Sequence, residues 1–289
     1  MIWLVCLTLF AGASDSPRLQ VEDATGLAEA AWSRRDSGFA VTGKVDSEAA
    51  TEVVRAWQQA LELEPDDPLL TLRLVEAIYF KGHFASDTQA ESSKWLDRQL
   101  ALSEEALSIV LLRNGLEEHD LDSERAMERF RHDELAADAL LWTIVSEGMW
   151  AMEHKLAAAL KGTPDRLLRR SALLDSLDET YGNAAGHRLL GRLHTATPRV
   201  PGFTSWVDPT EGICHLRRAW ELSREDPRNG LFLAEALLTH RSQGRDEAIR
   251  WLEEIVARTP DPSRTVEETE ILSAARRRLG ELTDSRNGK

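Results

Sequence analysis

Apolar residues recur at three- and four-residue spacing along almost the whole chain, and no stretch sustains the alternation of a strand, so the pattern predicts an all-α protein. Residues 28–35 read as a helix anchored on Trp32, and 36–44, with two glycines, as a loop. Asp46 caps the next helix, whose stripe of Val53, Val54, Trp57, Ala60 and Leu61 runs to Pro65. Pro68 opens another, with Lys81-Gly82-His83 as its turn, and a long helix follows to Asn114-Gly115. Residues 116–123 are an acidic loop. From Glu124 the apolar spacing predicts one helix to about Leu160, broken near Gly148. Thr163 caps and Pro164 opens the helix that ends at Asp178.

Residues 181–221 organise the rest. Ala185, Leu189, Leu190 and Leu193 give residues 183–196 a helical stripe that Pro198 ends. Asp208 then caps, and Pro209 opens, a helix carrying Ile213, Leu216, Ala219 and Trp220. Asp226-Pro227 is a turn before a further pair, parted by Gly244 and ended by Pro260. A charged amphipathic helix over 266–282 suits an end cap. Helix pairs with Leu190-Gly191 and Ala219, with Trp57, Ala60 and Pro65, and with Ala248 twelve residues before Pro260 resemble tetratricopeptide (TPR) units. The expected architecture is a TPR-like α-solenoid of antiparallel helix pairs with a C-terminal capping helix.

The chain has 289 residues and a formal net charge of −14, which repels phosphate backbones and excludes nucleic acid as a partner. Ile2 to Phe10 form an apolar run followed by Ala11-Gly12-Ala13, too short to span a bilayer but suited to a signal-peptide core. The expectation is a signal peptide over 1–17, a helical repeat domain over 18–289, and a periplasmic or secreted protein. Cys6 lies inside the run, so no lipobox cysteine is read there. Cys214 would then be alone, unable to form an internal disulfide, and reads as a small core residue.

The early Arg-Arg-Asp and Leu-Glu-Leu-Glu-Pro-Asp-Asp, the tryptophan helix at 139–148, and above all L-D-E-T-Y-G-N-A-A-G-H-R-L-L-G at 177–191 give the chain a family likeness. It resembles the T-component proteins of tripartite ATP-independent periplasmic (TRAP-type) transporters over roughly 26–282. That resemblance implies an exported helical-repeat protein that partners a solute-binding component, with a ligand cleft or pore and homo-oligomers. A TPR scaffold for protein assembly in the cell envelope is the other reading.

No G-x-S-x-G elbow, P-loop, Rossmann glycine pattern, H-x-x-x-H or C-x-x-C is present, so neither an enzyme nor a cofactor is expected. His187, His194, Cys214 and His215 lie near one another in sequence, but His187 and His194, seven apart, share a helix face about 10 Å apart, too far for one metal without ligands from elsewhere, and no metal is expected. Trp57, Trp220 and Trp251 fall at packing positions. Trp142 and Trp150 share a face that is core or ligand wall. The long loop 198–207 carries Phe203 and Trp206, which must cover either the neighbouring repeat or a cleft. The candidate ligand site is therefore Tyr181, His187, Phe203 and Trp206, with Trp142, holding a small, partly apolar ligand.

Overall fold

The computed structural model describes residues 17–287, so the apolar leader lies outside the described residues except for Pro17, which opens the first helix. Fourteen α-helices follow, with no strand among the described residues. They are α1 (Pro17–Trp32), α2 (Phe39–Thr42), α3 (Ser47–Leu63), α4 (Pro68–Phe84), α5 (Gln89–Arg113), α6 (Glu124–Arg131) and α7 (Ala136–Glu153). The second half comprises α8 (Lys155–Leu160), α9 (Thr163–Leu177), α10 (Tyr181–Ala196), α11 (Pro209–Leu222), α12 (Pro227–His240), α13 (Arg245–Val256) and α14 (Thr265–Asn287).

The helices pack in sequence order as a TPR-like solenoid. The first helices of successive pairs touch directly, α4 against α7, α10 against α12, and α12 against α14, and form an inner row. Helices α3, α5, α9, α11 and α13 lie outside them. Acid caps start α3 and α11 as the sequence indicates, and two more, unread there, start α4 and α12. The Asp46, Asp67, Asp208 and Asp226 carboxylates accept from backbone N–H groups of the first turns of α3, α4, α11 and α12. Trp57 and Trp220 are fully buried, and Trp251 packs edge-on against Trp220 with ring centroids 5.7 Å apart.

Helix α14 does more than cap. Its first turns reach back to the start of the chain. Arg35 donates to the Ser263 carbonyl at 2.7 Å and pairs with Glu267 at 3.3 Å, and His83 meets Glu270 at 3.1 Å. Beneath them Val266 joins Ala50, Phe80 and Ala85 in a small apolar cluster. The solenoid thus curls until its two ends touch.

Several boundaries differ from the expectation. Lys81-Gly82-His83 is no turn. It stays helical because the Lys81 ammonium is buried and satisfied, by Glu91 at 2.6 Å, the Ala85 carbonyl at 2.8 Å and Ser47 at 3.0 Å. The helix expected from Glu124 to Leu160 is three, parted at 132–135 and at His154 rather than at Gly148. Gly162, in a left-handed conformation, takes the cap position expected for Thr163, which is the first residue of α9. Cys214 is exposed and not in the core, because it falls on the solvent side of the stripe made by Ile213 and Leu216. The loop 36–44 contains the short α2.

Helix α10 opens in an unusual way. Gly182, Asn183 and Ala184 all have left-handed backbones (φ 57°, 61° and 59°), so the right-handed helix starts only at Ala185. For Ala184 this conformation costs about 1–2 kcal/mol. The buried Arg188 folds back on the turn and donates to the carbonyls of Asn183 (2.9 Å) and Gly182 (3.2 Å) and to Asn229 Oδ1 (3.0 Å). Asn229, also buried, donates through Nδ2 to the Asn183, Ala219 and Ser223 carbonyls. The G-N-A-A-G-H-R stretch is thus a polar pin joining α10, α11 and α12.

Candidate functional site

Three close helix approaches build a cluster of histidines and carboxylates. A Cβ added at Gly186 of α10 would lie 2.6 Å from the Asp175 Cα of α9. One added at Gly191 would meet Leu216 of α11 at 2.5 Å, and one at Gly212 would meet His194 at 2.8 Å. Only glycine allows backbones to come this near. The result brings a side chain from each of α9, α10 and α11 to one point.

At that point His187 Nδ1 lies 2.9 Å from His215 Nδ1 and 3.2 Å from Asp175 Oδ1. His187 Nε2, on the other edge of the ring, is 3.5 Å from Glu179, whose carboxylate Arg218 holds at 2.9 Å. Asp175 Oδ1 is buried and makes no hydrogen bond. Burial raises the Asp175 pKa, with the charge of His187 opposing it. Burial, then the charge of His187, lowers that of His215, which keeps its ring neutral at pH 7. The Arg218 bonds hold Glu179 below the usual carboxylate range.

The imidazoles continue as a file. The His215 ring lies 6.3 Å from His194, which meets Trp206 edge-on at 5.3 Å. His194 Nδ1 accepts from the Asp208 backbone N–H at 3.1 Å, and Trp206 Nε1 donates to Asp165 at 2.7 Å. His187 and Trp206 therefore belong to one surface strip between α9, α10 and α11, linked through two histidines.

The other expected residues lie elsewhere. Tyr181 precedes the left-handed turn and the loop 198–207 follows the far end of α10, so about 18 Å of right-handed helix, residues 185–196, stands between them. The Tyr181 hydroxyl donates to Asp138 of α7, and burial, then this bond, raises its pKa. Trp142, one turn further along α7, faces Tyr79 of α4 with centroids 5.4 Å apart. Phe203 is 63% exposed and covers neither a cleft nor a repeat. The five residues thus form no single rim. His215 was weighed with His187, His194 and Cys214 and set aside, since a 28-residue separation matches no ligand motif, and Asp175 and Glu179 were missed as partners of His187.

A second feature lies on the inner row. Helices α10, α12 and α14 enclose a groove of about 420 Å³ whose lining includes small side chains, Thr195, Ala196, Ala236, Thr239 and Ala274. Charged groups complete it. Arg192 pairs with Glu235 at 2.9 Å and Arg278 with Glu281 at 2.7 Å, while Arg277 makes no ion pair among the described residues. The exposed Arg277 adds a guanidinium at this surface, its charge felt by Glu270 of the same helix.

No protein-family model matches the chain, and no curated protein matches it. Among solved structures, the crystal structure of yeast Tom70 aligns with 100% of this chain and 71% of that chain at 14% identity, with a TM-score of 0.30, too low to bear on fold or role.

Proposed function

We propose that the chain is a helical-repeat scaffold that docks an extended segment of a partner protein in the groove of α10, α12 and α14. The observation that carries this is the groove's composition. Small side chains in its lining leave room for a backbone, while the paired arginines and glutamates flank it with alternating charge. Arg277, exposed and without a close ion pair among the described residues, supplies a cation for a partner carboxylate, a group that guanidinium recognises through paired N–H donors. A small, partly apolar ligand has less support, since this groove is charged and none of Tyr181, Trp142, Phe203 and Trp206 lines it.

The likeness of residues 177–191 to TRAP-type T-components names the first partner to try, a solute-binding protein of the cell envelope. That role needs export, for which the apolar run at positions 2–10 is the motive. The test is a screen of unstructured peptides, acidic and neutral, read by fluorescence anisotropy, with co-purification from the native host beside it. Arg277→Glu should weaken a groove-bound acidic peptide about tenfold or more, the effect of losing a charge-assisted contact. Binding that is indifferent to Arg277→Glu and to Ala236→Trp would refute the groove as the docking site.

A further inference from the structure

We propose that Asp175, His187 and His215 form a binding site for a divalent first-row transition metal of the zinc class, one that ties α9, α10 and α11 together. The three ligand atoms, Oδ1, Nδ1 and Nδ1, all lie within 4.8 Å of one another. Two of the three separations, 2.9 and 3.2 Å, fall in the range expected between donors that share one ion. With metal–ligand bonds of about 2.0–2.1 Å, neighbouring ligands stand roughly 2.9 Å apart at an octahedral angle and about 3.4 Å apart at a tetrahedral one. Two imidazoles and one carboxylate favour zinc, cobalt or nickel over magnesium and calcium, which prefer all-oxygen sites.

The protons make the same argument. Glu179 faces His187 Nε2, the arrangement in which that nitrogen carries the hydrogen and Nδ1 keeps a lone pair. His215 Nδ1 faces His187 Nδ1 at 2.9 Å, where its lone pair can reach the same ion. Asp175 Oδ1 is a buried acceptor with no hydrogen bond. In the protein alone, at most one hydrogen can sit between the two Nδ1 atoms, and it leaves an acceptor unsatisfied. A cation satisfies all three at once. Gly186 and the Gly191–Gly212 contact fix the spacing of the three helices, so the ligands are pre-set by backbone packing. His194 stays outside, because its Nδ1 is taken by the Asp208 N–H. Three protein ligands leave coordination positions for water or for a group of a docked partner.

The test uses the full-length chain, purified without a histidine tag and stripped by chelation. Zinc sulfate is titrated against a chromophoric competitor, with cobalt chloride titrated in parallel. One equivalent per chain with visible cobalt bands is expected, together with a rise in melting temperature on loading. His187→Asn combined with His215→Asn should abolish that equivalent, with circular dichroism confirming the helical fold. Glu179→Gln, at a half-exposed position, keeps the ligands and should weaken zinc about 10- to 100-fold through loss of ring orientation. Should the double variant fail to fold, X-ray absorption on the zinc-loaded wild-type chain decides the matter. Two imidazoles with an oxygen ligand support the site. Absence of a stoichiometric equivalent, retention of full affinity in the folded double variant, or a zinc shell lacking the imidazole pair overturns it.

Discussion

Replacing Arg188 by Met would show what holds the left-handed opening of α10. The methionine keeps most of the buried stem and removes the guanidinium. Three acceptors then lose a charged donor: the Gly182 carbonyl, the Asn183 carbonyl and Asn229 Oδ1. Asn183 retains its bond from Asn229 Nδ2 at 3.1 Å, so two acceptors bear most of the loss. Arg188 also stands 3.5 Å from the buried Asp226 carboxylate, which keeps its pair with Arg228. Burial, then the nearby Arg228, pushes the Arg188 pKa down to about 9, so it is charged at neutral pH.

Hydrogen bonds to charged groups contribute about 1.5–3 kcal/mol each. Breaking a buried charged network by removing one member costs about 3–5 kcal/mol. We therefore expect Arg188→Met to lose about 3–5 kcal/mol in urea denaturation. Because a solenoid can unfold in stages, hydrogen exchange at the amides of residues 184–190 should be read beside it. A cycle with Asn229→Ala should show coupling of about 0.5–3 kcal/mol, since the two side chains share a bond and an acceptor. A loss under about 1 kcal/mol with unchanged exchange protection would refute the view that the guanidinium holds the turn.

Other consequences are as direct. The bond from Lys81, then the Asp87 N–H, brings Glu91 down to about 2 from an ordinary 4.5, so its contribution is complete above pH 4.5 and is lost as pH falls towards 2; Glu91→Gln should flatten acid unfolding in that window. Arg35→Glu sets a carboxylate against Glu267 and removes the cation from above the Trp32 ring, so small-angle scattering should show the ends parting and the radius of gyration rising; an unchanged profile would mean that the apolar cluster around Val266 closes the solenoid alone. Gly186→Ala meets the Asp175 backbone and should destabilise by about 1–3 kcal/mol, whereas Gly148→Ala, with open space around it, should stabilise by about 0.5–1 kcal/mol in thermal melts. Phe203→Ala should change stability by about 0.5 kcal/mol or less, and a loss of several kcal/mol would show that the loop buries this ring in solution.

The course of the helices could be read from the chain because it depends on local chemistry. An aspartate before Pro209, or an apolar stripe from Val53 to Leu61, acts within its own segment. The same locality explains the errors. Lys81 looks like a turn residue until Glu91, ten positions on, neutralises it inside the fold. Residues 183–184 fall in the stretch expected to be helical, yet adopt left-handed backbones in a turn whose Gly182 and Asn183 carbonyls accept from Arg188 and Asn229. The closing of the ends through Arg35 and Glu267 spans 232 positions and has no local signature.

The histidine cluster shows how a site can be present in the letters and still be unreadable. His187 and His194 share a helix face by spacing, and on one helix they are too far apart to act together. The partner that matters, His215, comes from the next helix, and its distance is set by the approach of Gly191 to Leu216 and of Gly212 to His194. Asp175 comes from the preceding helix, and its distance is set by Gly186. Each glycine was visible as a letter, but in a helix glycine is as often a weakness as a contact, costing about 1 kcal/mol relative to alanine. What distinguishes these glycines is a neighbouring backbone within reach of a methyl group, a fact of tertiary packing. The left-handed turn at 182–184 belongs to the same argument. It lies immediately before Gly186 and His187, so the pin made by Arg188 and the ligand geometry at His187 are consecutive turns of one element. Loosening the pin should therefore relax the 2.9 Å approach of His187 to His215 as well as cost stability, which links the most specific stretch of the sequence to the histidine cluster.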